Sequence, residues 1–387
     1  MACFADIRSE DVNEFGGIGD RMSINRLKLG AAAAIAAGTV IPFAGAPADA
    51  STAAPQGHSL HVIKTLSSNF VGPLQFAVSG RNVYVADSFV SALFRIGRST
   101  PLATGPDPSA GGDIAGVAVD HSGALAYASS NGDHSTTTLT ILRHGKKPVV
   151  ADLSGFEAKR NPDGAVHFGV HNPSTCVSDA LKAADIPVSY TGTVDSHPYA
   201  VTSLGHGSWA VADAGGNDIV KVDRWGHPSL LSVLPSQPLK ITAAFAKANN
   251  LPDCVVGVTY KFEPVPTDVE IGKHGRLYVT TLPGGPEDPS AGNRGSVYTV
   301  NPWSGHNRRI ATGFAGATNL AIDRHGDVYV AELFTGTLSK VVCGKPKPVL
   351  SLPGLAAVEY ANGHLYASTA PAVSGGNGPG TVVLLGH

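Results

Sequence analysis

The sequence predicts an all-β fold, a six-bladed β-propeller of four-stranded antiparallel blades, and three observations predict it. One alternating apolar pattern recurs six times in tandem. Gly (46) and Pro (27) are abundant, which demands many short elements joined by turns instead of a few long helices. An apolar run ahead of the first copy has no partner of its own there.

The recurring unit is an apolar triplet, a Gly-containing turn, a second apolar run, a polar break and a third run. The copies begin FAVSGRNVYVAD (76–87), VAVDHSGALAYASS (117–130), VTSLGHGSWAVAD (201–213), VEIGKHGRLYVTT (269–281), LAIDRHGDVYVAE (320–332) and VEYANGHLYAST (358–369). Short alternating runs bounded by turn residues are strand chemistry. A fourth run often follows, as in PVVADL (148–153), SLLSVL (229–234) and KPVLSL (347–352). One such sheet cannot bury both faces alone, whereas sheets packed radially cover one another. The last copy ends after three strands, so LHVIKTL (60–66) is expected to close the ring as the outer strand of the final blade.

Long segments follow blades two and three, and blade four carries an expanded loop, LPGGPEDPSAGNRG (282–295). The strand directions put all three on one face of the disc. Long excursions in a compact domain are usually functional. Short helices are expected near Ser178 to Ala184 and from Leu239 to Ala248, where apolar residues recur three to four apart.

The N-terminus reads as a signal peptide over residues 1–50. Arg26 and Lys28 precede an uncharged, Ala-rich run, and Ala48-Asp49-Ala50 supplies small residues for cleavage. Residues 1–21 fit no targeting pattern, which makes Met22 the expected start. Residues 51–58 would be a flexible stub ahead of a propeller spanning 59–387. The protein is therefore expected in the extracellular space or cell envelope, as a monomer. The apolar run is too short for a stable membrane span. A net charge of −2 gives no broad attraction to nucleic acid.

Cys176 lies in the first insertion and Cys254 in the second. If both fold over one face, the two can pair in an oxidising compartment; otherwise they remain thiols. Cys343 is then expected as a buried strand residue.

Aligning the copies sends a set of polar residues to the insertion face. Asp87, Asp213 and Glu332 end second strands, while Gln75, Asp268 and Asn319 stand early in first strands, nearest the axis. With Asp195 and His197 of DSHPY (195–199), they are the candidate ligand-face residues. Oxygen donors such as Asp268, Asn319 and Gln75 suit calcium, although hydrogen bonding in a water-lined channel explains them equally. His197 beside Asp195 has the makings of a general base or of a loop cap. HFGVH (167–171) spaces two His four apart, a zinc spacing on a helix, but its Gly and the following Asn-Pro oppose a helix. No nucleophile elbow, phosphate loop or Cys-x-x-Cys is present in the sequence, and no catalytic residue or required cofactor is assigned.

VADAGGND (211–218), entered through DSHPY, together with NPDG (161–164), VPTDV (265–269) and TGFAGATNLAID (312–323), resembles the ScyD/ScyE family. Its members are exported propellers named for the gene cluster of a cyanobacterial sunscreen pigment. The resemblance spans about residues 60–386 and implies an exported NHL-like propeller without assigned catalytic residues. The sequence departs from it at His197, where Asn is usual, and at 282–295. The leading expectation is thus an extracellular binding or scaffold protein for a small molecule, glycan or protein. The alternative is a metal-assisted hydrolase or lactonase using the channel carboxylates.

Overall fold

The computed structural model describes residues 60–286 and 289–386. The expected signal peptide, the Met22 start and the 51–58 stub lie outside them. Among the described residues the strands form seven sheets of four, all antiparallel. Six follow the tandem copies, and their first strands are Pro73–Ser79, Asp113–Val119, Pro198–Gly205, Pro266–Ile271, Ala317–Ile322 and Leu355–Ala361. Each first strand packs against the next, and the last packs against the first. Blades one to six are numbered here in that order.

The turn chemistry explains the repeat. In every blade the first hairpin places a glycine at positive φ: Gly80, Gly123, Gly207, Gly275, Gly326 and Gly363, between 56° and 88°. An L side chain is strained there, so the residue recurs in each copy. The alternating side chains then fill the wedges between blades. Trp209, Leu139 and Ile141, all fully buried, fill the wedge of blades two and three. Phe76, Val85, Tyr366 and Val382 fill that of blades one and six. At the axis the backbones come close: a Cβ on Gly116 would stand 3.0 Å from the Cα of Ala200.

The N-terminal strand closes the last blade as expected. His61–Phe70 runs antiparallel to Gly380–Gly386, pairing His61 with Gly386 and Phe70 with Gly380. This covers the edge that an open array would expose.

The seventh sheet belongs to no blade. Ser189–Thr191 and His167–Gly169 come from the first insertion, and Gln237–Lys240 and Thr259–Phe262 from the second. Helices α2 (Thr175–Ala183) and α3 (Ala243–Ala248) complete this cap, while α1 (Leu153–Arg160) packs Leu153 and Phe156 into the wedge of blades two and three. Side chains of Asp152, Ser174 and Thr242 accept from the first-turn amides of the three helices. The expected helix after Leu239 begins only at Ala243, because Leu239 pairs with Tyr260 in the sheet. Helix α1 escapes the apolar period because Gly155 and charged residues dilute its pattern.

Cys176 and Cys254 form a disulfide that ties the two insertions together. The cap has its own apolar core, with Val177, Leu181, Phe245, Leu251 and Val255 buried in it. Cys343 corrects the expectation of a buried strand residue. It is exposed in a hairpin turn at φ 50°, followed by Gly344 at φ 74°. The turn needs two left-handed residues, and this outweighs the apolar character of the cysteine side chain.

Candidate functional site

A cavity of about 380 Å³ lies under the cap. All three excursions contribute to it: Leu181, Ile186 and Tyr190 from the first, Ile241, Phe245, Leu251 and Tyr260 from the second, and Gly284 to Pro286 from the third. Arg294 secures the third loop by donating to the carbonyls of Gly284 and Pro286 while its guanidinium lies 4.7 Å over the Phe262 ring. One wall of the cavity is therefore aliphatic and aromatic.

The other wall is polar and comes from the junction of blades two and three. His134, Asp163, Asp195, His197 and Asn217 line it. Asp195 bonds the Nδ1 of His134 at 2.9 Å, while the Nε2 of His197 meets Asp113 at 3.0 Å. The expected His197–Asp195 pairing is thus replaced by two crossed pairs. Burial pushes the His197 pKa down, but Asp113, with Asp213 and Asp195, outweighs it, and the net direction is up. Tyr190 donates to Glu263 at the opposite rim, and burial raises the phenol's pKa.

Beneath the polar wall lies a set of buried acids on the NPDG and VADAGGND segments. Asp163 accepts from Asn217 Nδ2 at 2.9 Å, and Asn217 Oδ1 accepts from Val265 N. Glu157 reaches in from α1 and accepts from the Asp195 amide. Burial, then Asp213 and Asp163, pushes its pKa up to about 8. Burial likewise raises Asp218, with Asp213 and Glu157 adding to the shift. Glu157, Asp163, Asp218 and Asp113 were missed as individual candidates. Their motifs were visible, but NPDG and GGND look like ordinary turns until they are brought together.

The candidates at strand-two ends have a different placement. Asp213 accepts from the amides of His197, Gly215 and Gly216 and from Ser196 Oγ. Asp87 accepts from Val71 N and Gly72 N, and Glu332 from Ala315 N. At equivalent positions all three acids latch the chain entering their blade to the end of its second strand.

Gln75, Asp268 and Asn319 stand at the axis. Asn319 donates to Gln75 Oε1 and accepts from Val358 N; Gln75 donates to the Thr267 carbonyl; Asp268 accepts from Leu320 N. Glu270 and Glu359 lie further along the channel. Burial raises all three carboxyls, Asp268 to about 7 and Glu359 to about 8. A collar of Leu74, Ala115, Tyr199, Val265, Leu333 and Ala356 lies at the insertion face, so apolar packing occupies the mouth where a polar lining was expected. His167 and His171 bring their rings 5.4 Å apart, but on a strand and its exit, with His167 Nε2 bonded to Ser189. Among the described residues no three His, Cys, Asp or Glu side chains are grouped to hold a metal. No described helix is long and apolar enough to cross a membrane.

No protein-family model and no curated protein matches the chain. Solved structures do. The PQQ-bound aldose sugar dehydrogenase of Streptomyces coelicolor is similar at 14% identity and TM-score 0.53, covering 84% of this chain and 97% of that one. A Thermus thermophilus protein described as an oxidoreductase (glucose dehydrogenase) is similar at 17% identity and TM-score 0.52, covering 84% and 99%. Virginiamycin B lyase of Staphylococcus aureus aligns over 80% of each chain at 12% identity and TM-score 0.45. At such identities the likeness concerns the fold alone, and that fold is the β-propeller.

Proposed function

We propose that the protein is an exported propeller of the ScyD/ScyE type that binds a small organic cation with an apolar body in the cavity under its cap. One observation carries the reading. The cavity is lined by four carboxylate residues, Asp163, Asp185, Asp195 and Glu263, and among the described residues by no Lys or Arg, opposite a wall that includes Phe245, Tyr260 and Phe262. Its volume suits a small ligand. A negative field favours a cation, and the aromatic wall favours burial of its apolar part. The disulfide in the cap is consistent with an oxidising compartment.

The alternative, metal-assisted hydrolysis in the channel, needs an open, convergent donor set. The axial amides of Gln75 and Asn319 are already bonded to each other, so the cavity is the better-supported site.

Calorimetric titration with 2-phenylethylamine and with 3-phenylpropanoate tests the reading, since the two are similar in size and opposite in charge. The amine is expected to bind one to one and the carboxylate not to bind. Gly284→Leu is the control, because a Cβ there meets nothing within 4 Å; its longer side chain is expected to occupy the cavity and weaken amine binding at least tenfold. Equal binding of both probes, or an unaffected Gly284→Leu variant, would sink the proposal.

A further inference from the structure

The loop that turns from the second to the third strand of blade three runs Asp213-Ala214-Gly215-Gly216-Asn217-Asp218. Gly216 is not among the glycines at positive φ, so backbone conformation does not demand it. The space over it is instead ringed by oxygen. A point at the Cβ position lies 3.3 Å from Glu157 Oε2, 3.5 Å from the Asp195 carbonyl oxygen and 3.5 Å from Asp218 Oδ1.

A second, separate observation concerns Asp218. It is fully buried, and no protein group donates a hydrogen bond to either of its carboxylate oxygens. Glu157, 2% exposed, likewise has Oε1 without a donor. Buried carboxylates are ordinarily saturated with donors, as Asp213 is at the start of the same loop. Asp213 and Asp163 add negative field at the same place. Of the three oxygens over Gly216, Asp218 Oδ1 is orphaned, and Asp218 Oδ2 and Glu157 Oε1 lack donors on the same two carboxylates; two under-satisfied buried carboxylates beside a main-chain oxygen are the donor set of a hard cation.

We propose that the cradle over Gly216 binds one divalent cation of the calcium class, held by Glu157, Asp218 and the Asp195 carbonyl. The set has two carboxylates and a main-chain oxygen, which is why no trio of acidic or imidazole side chains marks it. Calcium takes oxygens at about 2.3–2.6 Å and completes its shell with water. The ion therefore sits outward of the Cβ point, clear of the Gly216 Cα, where the Glu157 and Asp218 carboxylates and the Asp195 carbonyl face it. This site is distinct from the axial residues Asp268, Asn319 and Gln75, and the inference stands whether or not the cavity binds an amine.

The experiment is calorimetric titration of the full-length mature chain, stripped with EDTA, with calcium chloride and no organic ligand, paired with thermal unfolding at each calcium level. One equivalent of calcium is expected to bind, and the melting temperature is expected to rise with its concentration. Gly216→Ala puts a methyl group into the cradle at a backbone conformation alanine tolerates, and Asp218→Asn removes a charge at constant shape. Each is expected to weaken calcium binding at least tenfold, while Asp268→Asn leaves it unchanged. A wild-type chain without a calcium response overturns the proposal. So does undiminished binding in Asp218→Asn or Gly216→Ala, or loss of binding in Asp268→Asn alone, which would place the ion in the channel.

Discussion

The imidazole rings of His134 and His197 are stacked, with centroids 4.5 Å apart and planes 18° from parallel. His134 extends from the second hairpin of blade two at φ 57°, and His197 enters blade three. Each is held by a different acid, so two blades are clamped where the cavity opens. Removing a buried partner costs more than the net value of the pair, because the other charge is left stranded. His197→Ala is therefore expected to destabilise the fold by about 3 kcal/mol through Asp113. His134→Ala, whose side chain is 25% exposed, is expected to cost about 1 kcal/mol. Urea midpoints read both, and equal costs would contradict the burial argument.

The three strand-end acids make a graded prediction. Asp213 satisfies three amides and a hydroxyl, Asp87 two amides and Glu332 one. Each orphaned buried amide costs about 1 kcal/mol or more, whereas the Ser196 hydroxyl keeps Thr137 as a partner. Alanine substitution should lower stability in the order Asp213, Asp87, Glu332, with losses of about 3, 2 and 1 kcal/mol. An inverted order would show that these acids are not latches.

The blades were legible because their signals are local. Alternation is a two-residue period, and a hairpin glycine at positive φ leaves its mark in every copy. The pairing of LHVIKTL followed from counting strands. The site was less legible because its residues are joined only by the fold. Asp163 and Asn217 stand 54 positions apart yet share a hydrogen bond, and nothing periodic links them. Residue type alone misled at Asp87 and Glu332: a polar strand end reads as a lining until its amide partner, 15 to 17 residues back, is known. Cys343 misled because two apolar valines precede it, whereas the following Gly344 was the informative neighbour.

The channel carboxylates set a pH dependence. Asp268, Glu270 and Glu359 hold their protons more tightly in the fold than in the unfolded chain, where carboxyls ionise near pH 4. Between that value and about 7 to 8 the native state binds more protons, so stability falls as pH rises through this window. The melting temperature is expected to decline from pH 5 to pH 8. Other raised groups act in the same direction, so Glu359→Gln and Asp268→Asn should flatten the decline without abolishing it. A decline of unchanged slope in both variants would remove the channel as its source.

The disulfide of the cap separates propeller stability from cavity integrity. Cys176 and Cys254 are 78 residues apart, and blade three folds between them. A cross-link closing such a loop stabilises by about 4 kcal/mol on the chain-entropy model. That figure changes little if blade three forms first and shortens the effective loop, because closure entropy grows only with the logarithm of length. What the bond holds is the cap, whose core is separate from the wedges between blades. Replacing both cysteines by serine should therefore leave the blade strands and α1 protected from hydrogen exchange while exchange accelerates across 167–191 and 237–262. Binding of 2-phenylethylamine should weaken in parallel, since both insertions supply cavity walls. Uniform loss of protection across blades and cap would instead mean that the cap and the ring fold as one unit.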